Sequence, residues 1–256
     1  MHGIDRYAYT NNIRWLDPAQ KGGLAALALA LCLALPSPLV GLAALGWMAA
    51  LATLWAGVPA RAVARAMLAE ALFLALSVAG VALSVALDAP GLPWQWRVGP
   101  LWLATSPQAL HLAALLLARA LGCAAAMSFL ALTTPLVDLI DLLRRLRVPD
   151  LLIDLMTLIY RFIFILLESM ERMRTAQESR AGYRGFWGGM RDAGLLGSRL
   201  FIDAYARSRR LDLALQSRGH AGGPLAVLPA DYRRSAQPAW LMAALAASLL
   251  LAWRLG

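Results

Sequence analysis

The sequence predicts an all-α, polytopic helical membrane protein with about five transmembrane helices and a cytoplasmic helical insert ahead of the last one. Three observations carry that expectation. Hydrophobic residues make up 60% of the chain, too much for an ordinary soluble domain. Apolar runs long enough to cross a bilayer core, which takes about 20 helical residues, recur several times. Basic residues gather in alternate connections between those runs, as the positive-inside rule requires of a multi-pass protein.

The first twenty residues are polar, with Asp5, Arg6, Asn11, Asn12, Arg14 and Asp17 among them, and do not read as a secretory signal. Residues 1–21 are therefore assigned to a cytoplasmic N-terminal segment. From Gly22 to Gly57 the chain is apolar but too long for one crossing. Pro36-Ser37-Pro38 breaks it, because proline removes a donor and clashes with the preceding turn. Two short spans follow, about 22–36 and 39–57. Arg61 and Arg65 precede a third at about 67–87.

Residues 88–107, with Trp94, Trp96 and Trp102 among several prolines, read as an external loop at the membrane interface. A fourth span is expected at 108–132 and a last at 238–256. Arg6, Arg14 and Lys21 precede span one, Arg61 and Arg65 separate spans two and three, and Arg144, Arg145 and Arg147 follow span four. The opposite loops hold little beyond Arg97. This places the N-terminus and residues 133–237 inside and the C-terminus outside, in the plasma (inner) membrane of a bacterial cell.

The net charge of +9 raises the question of nucleic acid. Sixteen arginines lie between Pro135 and Gln237, but eleven acids interleave with them and no aromatic-plus-basic sheet pattern appears. Topology explains the excess more simply, and no nucleic-acid partner is expected; the bilayer itself is.

Three helices are expected in the insert 133–237. The first, 136–147, is amphipathic and stopped by Pro149. The second, 150–181, is apolar from Leu151 to Leu167 but carries Asp154, Thr157, Arg161, Glu168, Glu171, Thr175 and Glu178 at steps of three and four. That spacing draws one narrow polar stripe, interrupted by Phe164. Leaving Asp154 and Arg161 in hydrocarbon would cost about 2.5–3.5 kcal/mol each, which favours a helix near the cytoplasmic interface. The alternative is a partner-lined polar seam within the bilayer. After the break Gly182–Gly189, a third helix runs over 190–218.

Little in the chain reads as reaction chemistry. It has no phosphate-binding Gly-x-x-x-x-Gly-Lys-Ser/Thr loop, so any ATP belongs to another chain. His2, His111 and His220 lack ligand spacing. His111 reads as an interfacial or packed imidazole, and His2 beside a free terminal amine is a minor Cu, Ni or Co candidate. Cys32 and Cys123, both inside apolar runs, read as small buried hydrophobes rather than a disulfide or metal site. Glu70 is an intramembrane acid, for which snorkelling or an ion pair with Arg65 is expected. No nucleophile–base pair is evident, so the chain is not expected to be an enzyme, to bind a metal or to hold a cofactor.

Two tracts in the insert repeat one another: Ser179-Arg180-Ala181 and Ser217-Arg218-Gly219 each end a helical pattern. One such arginine is adequately explained as a cation complementing the helix dipole, worth about 0.3–1 kcal/mol. Two ends with one signature point further. Arginine's planar fork pairs bidentately with carboxylates and never loses its charge, which suits a plug for a partner's groove.

In these tracts the chain resembles the transmembrane T component of energy-coupling factor transporters, most of all CbiQ of the cobalt systems. That family ends each of two coupling helices in an Ala-Arg-Gly-like tripeptide. Neither tract is Ala-Arg-Gly itself, and the first lacks the final glycine. The opening Ile4-Asp5-Arg6-Tyr7-Ala8-Tyr9-Thr10-Asn11, followed by Pro18 and Lys21, is also similar to that of CbiQ, and so is the order of spans. The resemblance implies that Ser179, Arg180, Ala181, Ser217, Arg218 and Gly219 dock onto two ATP-binding cassette subunits (CbiO-like), which hold the ATP. It implies as further partners a substrate-capturing membrane S component (CbiM-like) and a small accessory membrane subunit (CbiN-like). Cobalt is the first substrate implied, nickel or a vitamin the alternative. A stand-alone carrier would need convergent polar residues at mid-membrane, where the spans offer mainly Thr53, Ser77, Ser84 and Ser128.

Overall fold

The computed structural model describes residues 4–82, 84–86, 94–98, 101–219, 232–233 and 235–255. The chain divides into two compact units, residues 2–138 with 230–256 and residues 139–229. The fold is helical and polytopic. Among the described residues four helices are long and apolar enough to cross a membrane, and a fifth apolar helix is shorter.

The membrane unit opens with a short helix not anticipated above, α1 (Ile4–Thr10). The shorter apolar helix, α2 (Pro18–Ala34), begins earlier than expected: Asp17 accepts the Ala19 N–H at its N-cap, and Pro18 occupies the first helical position. It ends where Leu35 turns extended ahead of Pro36. Next comes α3 (Pro38–Ala50), continued by a π-helical turn over Leu51–Trp55.

The third span is displaced. It runs as α4 (Ala60–Ala82), so Arg61 and Arg65 lie on its first turns rather than before it, and it stops short of the expected 87. The Pro59 carbonyl starts it, accepting from the Ala62 and Val63 N–H groups. Much of the expected external loop is strand. The segments β1 (Ser84–Ala86), β2 (Trp94–Val98) and β3 (Leu101–Thr105) form an antiparallel sheet in the order β1-β3-β2. Registers Ser84↔Ala104 and Trp94↔Thr105 fix the pairing. Tryptophan and valine are good strand formers, so Trp94, Trp96 and Trp102, read as an aromatic interfacial loop, lie in strands instead. The expected loop residues 88–93, 99 and 100 lie outside the described set. From Pro107 to Thr133 runs α5, with Ser106 capping the Ala109 N–H. At the far end of the chain lies α9 (Gln237–Leu255).

Buried residues recur at steps of three or four on α2 (Leu24, Ala28, Cys32), α3 (Val40, Ala44, Met48), α5 (Ala125, Phe129) and α9 (Leu245, Leu249). Those stripes make one core. Cys32 is buried, Cys123 half-buried, and both are free thiols. By contrast α4 buries only Val63 and leaves Leu68, Leu72, Phe73 and Leu76 exposed, as suits a helix facing lipid.

Between apolar helices in lipid there is no hydrophobic drive to associate, so close backbone approach has to supply the packing. Here α3 meets α5 through small residues. A Cβ on Gly41 would run into the Ala118 carbonyl, and one on Gly122 would sit 2.8 Å from the Gly41 carbonyl oxygen. Gly41→Leu therefore cannot be absorbed by a rotamer change. It is expected to cost about 3 kcal/mol or more, at or beyond the usual range for overpacking. Thermal unfolding in detergent measures this, and an unchanged midpoint would mean the crossing is looser than the backbone distances indicate.

The second unit holds most of α6 (Leu136–Arg145), then α7 (Asp150–Glu178) and α8 (Gly185–Ser217). The last two depart from expectation at the ends: α7 stops three residues before 181, and α8 starts five before 190. Three of the glycines read as a break, Gly185, Gly188 and Gly189, belong to the first turns of α8. Despite its apolar stretch, α7 is not among the helices apolar enough to span.

Candidate functional site

The shortened ends of α7 and α8 turn the two repeated tripeptides into helix caps, and the caps match. On α7 the Ser179 hydroxyl donates to the Ala176 carbonyl at 3.0 Å; on α8 the Ser217 hydroxyl donates to the Ala214 carbonyl at 3.0 Å. The third residue of each tripeptide is left-handed, Ala181 at φ +61° and Gly219 at φ +75°. After α7 the Ala181 N–H bonds the Glu178 carbonyl at 3.1 Å and the Gly182 N–H bonds the Gln177 carbonyl at 2.9 Å, the pairing of a Schellman end. After α8 the Gly219 N–H bonds the Gln216 carbonyl at 3.0 Å. Alanine thus takes the role that glycine fills in the second tract.

Arg180 and Arg218 are both exposed, and neither guanidinium has an ion-pair or hydrogen-bond partner among the described residues. Each is held at the tip of a rigid cap with its fork unused. The structure does not bring them together. The 33 residues of α8 span about 50 Å, and the tripeptides sit at its opposite ends. They cannot grip one ligand; they are two separate contact points on one rod.

The turn between α7 and α8 is locked. Asp192 accepts the Tyr183 N–H at 2.6 Å, the Tyr183 hydroxyl donates to Gln177 Oε1 at 2.8 Å, and Gln177 Nε2 donates to the Asp192 carbonyl at 3.2 Å. Tyr183 itself is left-handed at φ +61°. Farther along the hairpin the buried Ser169 hydroxyl donates to Asp203 Oδ2 at 2.9 Å, and Arg207 Nε donates to the same oxygen at 3.0 Å. Those two donors, the hydroxyl foremost, hold the Asp203 carboxyl below its ordinary range.

Ala181 is the strained member of the pair, since a left-handed non-glycine residue costs about 1–2 kcal/mol. Ala181→Gly is expected to stabilise the protein by about 1 kcal/mol and Gly219→Ala to destabilise it by a similar amount. Among the described residues no neighbour lies within 4 Å of a Cβ on Gly219, so only the backbone term enters there. Thermal unfolding of the two variants should move in opposite directions. Shifts of one sign would disprove the matched-cap geometry.

In the membrane unit, Glu70 does not pair with Arg65. Ser128 on α5 donates its hydroxyl to Glu70 Oε1 at 2.6 Å. The acid lies nearly three helical turns into α4, where a hydroxyl across the interface lies closer than a cation behind it. Of the other polar candidates, the Thr53 hydroxyl is spent on the Ala49 carbonyl at 2.9 Å, Ser77 is exposed and Ser84 lies in β1. His111 is exposed near the start of α5, and His2 and His220 lie outside the described residues. No group of three His, Cys, Asp or Glu side chains among the described residues is placed to hold a metal ion.

One polar centre was missed from sequence. Lys21 is completely buried (0% exposed), with Nζ 3.4 Å from the Ile13 carbonyl and 3.2 Å from the Thr133 carbonyl, its two acceptors. Asn11 Nδ2 also donates to the Thr133 carbonyl, at 3.0 Å. Beside it the stretch leading into α9 is stitched to the N-terminal segment and to α6. The Asp17 N–H bonds the Arg233 carbonyl at 3.2 Å, Gln20 Nε2 bonds the Ser235 carbonyl at 2.8 Å, and the Tyr232 hydroxyl donates to Asp138 at 2.9 Å. The signal available was that the chain's one lysine abuts an apolar run; nothing in that position told burial from a topology charge.

Residues 11–227 match the sequence model of the family described as CbiQ, cobalt transport protein. An uncharacterized protein of Methanocaldococcus jannaschii is 42% identical over 113 residues, 44% of this chain and 42% of that one. The protein named cobalt transport protein CbiQ in Rhodobacter capsulatus is 39% identical over 128 residues, 49% of this chain and 52% of its own. A putative fused cobalt transport protein CbiMQ of Methanocorpusculum labreanum is 33% identical over 127 residues, 50% of this chain and 21% of that protein. In each case the match spans about half of the relative's length or less.

Proposed function

The chain belongs to the CbiQ cobalt transport protein family, and from that premise we propose that it is the membrane coupling subunit, the T component, of an ATP-driven energy-coupling factor importer for cobalt. The observation that carries the reading is the pair of matched caps at opposite ends of α8, each presenting an unused arginine fork. Two equivalent plugs far apart fit two copies of one socket, as a dimer of ATP-binding cassette subunits would offer. ATP is bound and hydrolysed there, and this chain is non-catalytic. Closure of that dimer moves the two plugs, and a stiff α7–α8 hairpin passes the movement on.

The substrate-capturing S component docks on the membrane unit, and the name of the fused CbiMQ relative supports a CbiM-like chain in that place. A small CbiN-like subunit is a further candidate. Cobalt ranks first as substrate because the family and two of the relatives reported above carry that name, and nickel ranks second. The N-terminus and the insert face the cytoplasm and the C-terminus the outside.

A stand-alone carrier has one observation in its favour, the Ser128–Glu70 contact between α4 and α5. One carboxylate and one hydroxyl make a poor ion site by themselves. Co-purification separates the two readings. A tagged chain co-expressed with its neighbouring genes should retain a nucleotide-binding subunit through size exclusion. Recovery of the chain alone, active in proteoliposomes without ATP, would establish the carrier instead.

A further inference from the structure

Between α7 and α8, away from both tripeptides, lies a cavity of about 260 Å³ lined by Arg161, Arg207 and Arg210 with Phe162, Ile165 and Leu211. No carboxylate of the described residues lines it. Arg207 is partly balanced by Asp203, whereas Arg161 and Arg210 have no ion-pair partner among the described residues. Three guanidiniums converging with one carboxylate nearby leave a strong local excess of positive charge, suited to a phosphate group.

An apolar groove of about 370 Å³ adjoins this cavity and shares Phe162 and Leu211 with it. Its walls include Leu155, Leu158, Ile159, Leu166 and Ala204, and it opens outward, with Leu155 and Ile159 each about half exposed. A soluble anion would use the arginines and leave the groove empty. A purely apolar partner would use the groove and leave the arginines unpaired. A molecule with an anionic phosphate at one end and a hydrocarbon chain at the other uses both.

We propose that the α7–α8 hairpin carries a binding site for an anionic phospholipid, with the headgroup phosphate between Arg161, Arg207 and Arg210 and an acyl chain along the groove. The polar stripe of α7 then has a local reason for Arg161, which the coupling reading leaves unused. Acidic lipids are attracted to basic residues at the cytoplasmic leaflet by about fivefold in affinity for each arginine. This site needs neither ATPase nor S component.

Native mass spectrometry of the full chain in detergent, titrated with dioleoylphosphatidylglycerol, dioleoylphosphatidylcholine or inorganic phosphate, tests it. The phosphatidylglycerol adduct should bind at least about tenfold more tightly than phosphatidylcholine, and millimolar phosphate should not displace it. Arg161→Gln with Arg210→Gln should weaken the phosphatidylglycerol adduct about 25-fold, and Ala204→Phe should weaken it by filling the groove. The pair Arg180→Glu and Arg218→Glu should leave it unchanged, so failure of the coupling reading and failure of this one remain distinct. Equal binding of the two lipids, displacement by free phosphate, or indifference to Arg161→Gln with Arg210→Gln would each overturn the proposal. So would loss of the lipid when other transporter subunits assemble on the chain, because the groove would then be a protein interface. Circular dichroism of each variant keeps a folding defect from being read as lost binding.

Discussion

Reversing both helix-end charges, Arg180→Glu together with Arg218→Glu, is expected on the proposed coupling role to abolish metal uptake while the protein remains folded in the membrane. Both side chains are exposed and make no hydrogen bond or ion pair among the described residues, so the fold loses little beyond the helix-dipole contribution of about 0.3–1 kcal/mol at each end. What the proposed role would lose is docking. Truncating one partner of a buried, hydrogen-bonded ion pair at an interface costs about 2–5 kcal/mol, and reversal adds repulsion against the carboxylates that received the fork. Two reversed plugs should lower retention of the nucleotide-binding subunits by a thousandfold or more and bring uptake to background. Arg180→Lys with Arg218→Lys keeps the charge without the fork and should fall between. Radiolabelled cobalt uptake, with membrane abundance measured in parallel, reads the effect; wild-type uptake in the double reversal would return both arginines to ordinary helix capping.

The second large effect is expected at Lys21. Its ammonium is fully buried against the Ile13 and Thr133 carbonyls, with the Asp17 and Asp138 carboxylates supplying opposite charge. Lys21→Glu puts an anion against the Ile13 and Thr133 carbonyls and beside the Asp17 and Asp138 carboxylates. Unbalanced buried charge is destabilising by about 3–5 kcal/mol, a large share of the stability of a typical domain. Folded yield on fluorescence-detected size exclusion should collapse. Lys21→Met makes a telling comparison: the volume is kept, Thr133 still has Asn11, and the Ile13 carbonyl keeps the Leu16 N–H at 3.1 Å, so neither acceptor is orphaned and the loss should be only about 0.5–1.5 kcal/mol. If the glutamate variant melts with the wild type, the burial of Lys21 is not what holds these segments together.

The helices were legible because each apolar run is bounded by a proline or a polar cap: Asp17-Pro18, Ser37-Pro38 and Ser106-Pro107 mark three starts. Where that punctuation was ignored the expected bounds drifted. Pro59 starts α4 nearly two turns ahead of Arg65, and long cationic side chains tolerate the first turns of a span because their ends reach back to water. The sheet over 84–105 was hidden by its tryptophans, which suit an interface and a strand equally well. At the candidate site the two tripeptides were visible as a repeated pattern, but their conformational identity was not. Nothing in Ser179-Arg180-Ala181 announces a left-handed alanine; that depends on hydrogen bonds to Glu178 and Gln177 that close only in the folded cap. Long-range partners, Ser128 for Glu70 and Thr133 for Lys21, are beyond any reading of spacing.

The hydrogen bond from Tyr232 to Asp138 joins the two places where the chain passes between its units. Residues 139–229 therefore leave and return through one doorway, and to the remaining helices they amount to a single long loop whose ends already touch. Loop length weighs only weakly on closure entropy once the ends are held. That makes the insert an exchangeable cassette: the same bundle of spans can accept a different hairpin at Asp138 and Tyr232 without rebuilding its core. A lineage could then re-match its hairpin to a new partner while keeping its membrane half, and the two halves would be free to diverge at different rates.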